Sequence, residues 1–323
     1  MTYLVQAVAA ISDIPANIVA FAVARGWTSG GAGNIVNPST GQSFTITTTG
    51  LATLSIAAAG TAIIASLRVP YLAGVYPASP VISLPSQIHM FGNNSPYTSP
   101  DSQPYISCII ECGYNQYRHI YIGSIVRAGD YTNGDLFSVN NFYEQLSGSA
   151  ESNVSYLNTI NRFLFGAYTI NAKAGGGARI SHADNPITWR DFVCLTTLQG
   201  NNDVGPTLDG TEIFGGNRDG CNDGLVYRGH ADYGAAQVLT PVNLYASKAD
   251  LDANYRIIPL GHASGVRLVD MKNLSPGQQI TIGADSWRVF PEFSKSASLT
   301  FSHALNVFWA AETSYNLGLA YRE

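Results

Sequence analysis

The sequence predicts a mainly β protein: antiparallel sheets arranged as a sandwich or barrel, a small N-terminal α+β unit, and long irregular insertions. Three observations predict it. Only residues 12–26 carry an apolar repeat at helical spacing, and many later segments alternate with period two. Gly, Pro, Asn and Asp punctuate the chain between those segments.

The helix comes first. Ser12 or Asp13 can cap it, Pro15 suits its first turn, and Ile14, Ile18, Phe21 and Ala22 fall on one face. Gly26 supplies a left-handed residue at its end. A Gly/Ser/Asn-rich loop is expected over 29–41. Beyond it Phe44, Ile46 and Thr48 alternate, then Leu51, Leu54 and Ile56, then Ile63, Ala65 and Leu67. Helix and small sheet make an expected first domain, residues 1–75, ending where Pro70, Pro77, Pro80 and Pro85 interrupt the chain.

A larger β-rich domain is expected over 76–323. Residues 86–104 read as loop, from Asn93, Asn94, Pro96, Pro100 and Pro104. A hairpin follows, with strands near Tyr105–Glu111 and Tyr117–Val126 around a turn at Gly113–Gln116. Its second strand alternates Tyr117, His119 and Tyr121 with Arg118, Ile120 and Ile122, as in a sheet whose two faces are used differently. About 128–235 the pattern becomes irregular, with Gly175, Gly176 and Gly177 consecutive, and a long insert of surface loops is expected. Strand signals return in VNLYASK, YRIIPLGHASGVRLVDMKNL, QQITIGADSWRVFPEF and SYNLGLAYRE. The third of these segments turns at Gly283-Ala284-Asp285, between Ile280 and Ile282 on one side and Trp287 and Val289 on the other.

Composition narrows the function. Charged residues are 12% of the 323 positions, about half the ordinary share. Gly, Ser, Thr, Asn and Tyr take their place, so the surface is neutral and polar, which suits a chain packed against neighbours. Net charge is −5 with no Lys/Arg run, which argues against nucleic-acid binding. The apolar N-terminus has no basic leader and is broken by Asp13, Pro15 and Asn17, and regular ten-residue barrel segments are missing, so no membrane partner is expected. Cys108, Cys112, Cys194 and Cys221 are expected as buried free thiols. Cys108 and Cys112, four apart on one strand, would sit about 13 Å from each other.

Candidate chemistry is thin. Asn217, Asp219 and Asp223 in NRDGCNDG offer oxygen ligands, but counting from Asp219 puts Cys221 and His230 where a calcium loop needs an oxygen donor and a bidentate Glu. His182 with Cys194, and Cys221 with His230, lie too far apart for a zinc pair. Gly30, Gly31 and Gly33 follow the helix rather than precede one, so they form no phosphate loop. His119, in mid-strand, reads as a satisfied histidine. Asp130, Asp135, Glu144, Glu151, Asp184 and Asp191 are the carboxylates a glycoside hydrolase would draw on, and they read as solvated turn residues. Trp27, Trp189, Trp287 and Trp309 suit either of two uses, filling a sheet core or, where exposed, gripping a sugar or another subunit, and the sequence does not decide between them. No catalytic, cofactor-binding or metal-binding residue is assigned, and the chain is expected not to be an enzyme.

Several phrases carry a resemblance. PYISCIIECGYNQYRHIYIGSIVRAGDYTNG, TPVNLYASK, IGADSWRVFPEFSKS and SYNLGLAYRE, with Gly283, Trp287, Phe290, Pro291 and the closing Ala320-Tyr321-Arg322, resemble virion structural proteins of the tailed-bacteriophage neck and tail module. The resemblance implies a virion subunit assembled in the host bacterial cytoplasm. It also implies a ring, six-fold by expectation, docked to tube, sheath, connector or baseplate proteins. The alternative is a glycan- or receptor-binding tail protein, with or without polysaccharide-degrading activity.

Overall fold

The computed structural model describes residues 3–49, 53–58, 61–67, 82, 84–94, 96–97, 102–113, 115–127, 134–142, 161–162, 177–182, 193–194, 239–249, 255–271, 273–292 and 317–323. In chain order these form β1 (Tyr3–Val8), α1 (Asp13–Val23), β2 (Thr28–Gly31), β3 (Asn34–Val36), β4 (Ser43–Thr49), β5 (Thr53–Ala58), β6 (Thr61–Ser66), β7 (Ser86–Gly92), β8 (Tyr105–Gly113), β9 (Gln116–Arg127) and β10 (Gly134–Val139). Then come β11 (Asn141–Phe142), β12 (Asn161–Arg162), β13 (Gly177–His182), β14 (Val193–Cys194), β15 (Thr240–Ala249), β16 (Tyr255–Asp270), β17 (Gln279–Ile282), β18 (Asp285–Pro291) and β19 (Leu317–Arg322). The protein is mainly β, with an N-terminal helix and antiparallel sheets.

Helix α1 is built as its sequence dictates, with one change at its start. Ser12 makes no side-chain cap; the Asp13 carboxylate instead accepts the Ala10 N–H at 3.0 Å and lies in the first turn, where it complements the helix dipole. Ile14, Pro15, Ile18, Phe21 and Ala22 form the buried stripe. Gly26, at φ 92°, releases the chain toward Trp27.

Strands β2–β6 form a separate antiparallel sheet in sequence order. The other large assembly is a 12-stranded antiparallel sheet folded into two layers. Layer one runs β13-β10-β9-β8-β7-β1, and layer two runs β14-β15-β16-β19-β18-β17. They join where Ile125–Arg127 of β9 pair with Gly261–Ala263 of β16.

Aromatic residues fill the space between the layers. Phe91 stacks on Tyr321 at 5.1 Å, Tyr117 meets Phe290 edge-on at 5.4 Å, and Tyr105 stacks on Tyr121 at 6.0 Å. Their polar ends are satisfied across the gap: Tyr121 donates to the Ser264 carbonyl at 3.1 Å and Tyr105 to that of Arg322 at 3.2 Å. The other face of layer one is aliphatic. There Ile88, Met90, Ile106, Cys108, Ile110, Ile120, Ile122 and Phe137 join Ile14, Ile18 and Phe21 of α1 and Ile35, Phe44, Ile46 and Leu54 of the small sheet in one core. Each such side chain contributes about 1.5–3 kcal/mol by leaving water. A smaller cluster of Val269, Met271, Leu274, Trp287, Val289 and Ala320 lies in layer two.

Three expectations are corrected here. Residues 86–92, expected as loop, are β7, a central strand whose Ile88 and Met90 face the helix while His89 and Phe91 face layer two. With both faces buried, SQIHMFG shows no polar alternation, and the flanking prolines dominated the sequence pattern. Within the expected loop 29–41, β2 and β3 form a hairpin, with Gly31 and Gly33 at positive φ around Ala32. Inside the expected insert, residues 134–139 are the wholly buried strand β10, paired to β9 and β13. β1 pairs with β7, and one aliphatic core draws residues from Val8 to Val139 together; the expected boundary near residue 75 lies outside the described residues.

Candidate functional site

Layers one and two close at the β9–β16 junction and lie open at the opposite side, where β1 and β17 are the terminal strands. A polar cluster occupies that mouth. Register places Tyr3 opposite Phe91 and Val5 opposite His89, so the Tyr3 ring stacks on Phe91 at 4.7 Å and runs parallel to His89. The His89 ring is then held from both sides. Its Nε2 stands 3.3 Å from Glu111 Oε1, a carboxylate that only accepts, so Nε2 carries the proton. Its Nδ1, 2.9 Å away, accepts the Tyr3 hydroxyl.

Layer two covers this group. The Arg288 guanidinium sits 4.5 Å over the Tyr3 ring, donates to Glu323 Oε1 at 2.5 Å and to the Gly277 carbonyl at 2.7 Å. Glu323 Oε2 in turn accepts from Gln279 of β17 at 2.6 Å. On the outer side Arg322 pairs with Asp285, an exposed pair contributing less than about 1 kcal/mol. Burial raises the Tyr3 phenol above its ordinary range, and the Arg288 charge opposes that shift. The hydroxyl therefore stays protonated and serves as a hydrogen-bond donor, not as a phenolate nucleophile. The arrangement is a clamp: it fixes β1 against β18 and holds the two open edges side by side.

Those edges are exposed and uncharged. Leu4, Val5, Gln6 and Ala7 of β1 are exposed, with Leu4 and Val5 at 41% and 46%; on β17, Ile282 stands at 42%. YLVQAV and QITI contain no Lys, Arg, Asp or Glu, the residues that ordinarily guard a free strand edge. Among the described residues no further strand pairs with either.

The residues singled out in sequence go elsewhere. His119 is fully buried between the layers, its Nε2 donating to the Pro291 carbonyl at 2.9 Å and its Nδ1 accepting from the Tyr321 hydroxyl at 2.6 Å. Burial pulls its pKa down to about 3. Asp135 is buried beneath the small sheet rather than solvated in a turn, which corrects the expectation for that residue. Asn37 Nδ2 donates to it at 2.7 Å. Cys108 and Cys112 are buried free thiols, and burial pushes Cys112 up to about 11. Trp27 and Trp287 are core residues, Trp287 lying under the Arg267 guanidinium. Gly30 and Gly31 belong to β2, and Gly33 lies between β2 and β3. His182 and Cys194 fall on β13 and β14, in different layers. Asp130, Glu144, Glu151, Asp184, Asp191, Asn217, Asp219, Cys221, Asp223, His230, Trp189 and Trp309 lie outside the described residues.

His89 and Tyr3 were missed by sequence reasoning. His89 sits in the stretch expected as loop, and no local spacing links it to a tyrosine 86 positions earlier. Among the described residues no three His, Cys, Asp or Glu side chains gather as a metal set. No helix among them is long and apolar enough to cross a membrane. No protein-family model matches the chain, and no curated protein matches it in sequence.

Proposed function

We propose that the chain is a structural subunit of a bacteriophage virion, a tail or neck component that assembles with further copies of itself. The observation that supports this reading is the pair of open, uncharged strand edges at one mouth of the sandwich, β1 and β17, displaying Leu4, Val5 and Ile282 to solvent. Such an edge is a template for an added strand, and main-chain hydrogen bonds supply the affinity. Two different edges on one subunit suit a heterologous contact, which closes into a ring when the rotation between copies divides a full turn. A surface with few charges serves the same end, because little desolvation of ions opposes contact between copies.

The experiment is native mass spectrometry of the purified full chain, joined to negative-stain imaging and to proteomic analysis of purified particles from an infected host. A closed ring of copies, six-fold by expectation, and the presence of the chain in particles are the expected results. A strict monomer at micromolar concentration together with absence from particles overturns the reading.

A further inference from the structure

A second surface, on the small sheet β2–β6, has a composition unlike the rest of the chain. Residues 26–67 contain no Asp, Glu, Lys, Arg or His, although at the chain's 12% share a stretch of that length would carry about five charges. The run folds into a sheet with two unlike faces. Phe44, Ile46, Leu54 and Ile56 point into the aliphatic core. The alternate residues point the other way: Thr45, Thr47 and Thr49 of β4 lie beside Ala57, Ser55 and Thr53 of β5, and Thr47 and Thr49 are exposed. Strand β3 extends this outer face, with Asn34 opposite Thr45. Phe44 is the one aromatic residue between Thr28 and Ser66, and it faces inward.

Part of the outer face is already bonded sideways. Asn34 Nδ2 donates to Ser43 Oγ at 2.8 Å and to Thr45 Oγ1 at 3.1 Å, and Ser43 Oγ donates to Asn34 Oδ1 at 3.1 Å. Covering such groups costs little, because these hydrogen bonds survive the loss of water. The threonine methyls supply apolar contact on a pleated surface.

The same features select the occupant. An anionic membrane or a nucleic acid is held by cations, and the face has none. A sugar ring is gripped by exposed aromatic rings, which are also missing from it. A charged protein surface would lose its hydration there and find no counter-charge. A face of the same make suffers neither penalty, and every further copy of the chain carries one. We propose that the outer face of the small sheet is a self-association surface, on which a second copy of this chain docks sheet face to sheet face about a two-fold axis. Each copy then presents Thr47 and Thr49 to the other. This contact is separate from the edges β1 and β17 and goes beyond the reading built on them.

At about 16 Å² of plane per strand residue, the five strands cover about 400 Å² on each copy, the low end for a specific interface. The pair is therefore weak by itself, and it doubles the size of whatever the strand edges build.

Sedimentation velocity of the full chain at about 100 μM, a concentration suited to so small a contact, tests this. T47K and T49K each bring two like charges together across the two-fold axis and should halve the mass of the wild-type assembly. A20K, on the exposed side of α1, should leave that mass unchanged, and urea midpoints should be the same in all four proteins. A ring halved by T47K supports the face contact and leaves the edge contact standing. A wild-type dimer that T47K reduces to monomer supports the face contact and counts against the edges. A strictly monomeric wild type, a T47K or T49K assembly of wild-type mass, or halving by A20K as well overturns the proposal.

Discussion

Between the two layers, His119 makes a measurable commitment to one protonation state. The Pro291 carbonyl accepts only, so Nε2 bears the proton, and Nδ1 takes the Tyr321 hydroxyl. Charging the ring would place a second proton where a donor already points, and would bury a cation beside Arg118, whose charge also disfavours it. Burial and that charge hold the folded pKa near 3, against 6.5 in the unfolded chain. A base with a depressed folded pKa contributes stability that is full above 6.5 and is lost as pH falls through that value toward 3. At about 1.4 kcal/mol per pH unit the loss reaches about 2 kcal/mol at pH 5 and about 4 kcal/mol at pH 3.

His119→Gln isolates this effect. The glutamine amide can still donate toward Pro291 and does not titrate, so the variant begins about 1–3 kcal/mol less stable at pH 7 through the lost Tyr321 contact. Urea melts at pH 7, 6 and 5 should then show the gap between wild type and variant shrinking by about 2 kcal/mol. Asp135 titrates in both proteins and cancels in the difference. A gap constant to within about 0.5 kcal/mol across that range would refute the neutral, doubly bonded imidazole.

Three further outcomes follow from other parts of the molecule. Gly265 has φ +64° and a Cβ there would stand 2.0 Å from the Tyr105 ring, so Gly265→Ala should cost at least about 2 kcal/mol in a urea melt; a loss under about 0.5 kcal/mol would mean the close approach is not maintained. Val5→Lys puts a charge on an exposed position of the open edge, so it should leave the melting curve within about 0.5 kcal/mol of wild type while abolishing the oligomer; an unaltered oligomer would remove β1 from the contact. Cys108 and Cys112 should resist alkylation at pH 8 in the folded chain and react after denaturation, as read by peptide mass spectrometry, because burial raises both thiols.

Sequence by itself determined the elements whose signals are local. The helix at Asp13–Val23 follows from Ile14, Ile18 and Phe21 at one spacing, and the β8–β9 hairpin follows from alternation around Gly113–Gln116. The turn between Ile282 and Asp285 was legible for the same reason. A mainly β, antiparallel fold follows from these. Strands β7 and β10 were not legible, because burial on both faces erases the period-two pattern by which a strand announces itself. Nor was either polar cluster. Tyr3 and His89 are 86 positions apart, and Asn37 and Asp135 are 98 apart. Only sheet register and the packing of one layer on another bring such residues within hydrogen-bonding distance, and a register is set by the whole buried face rather than by any neighbour in the chain.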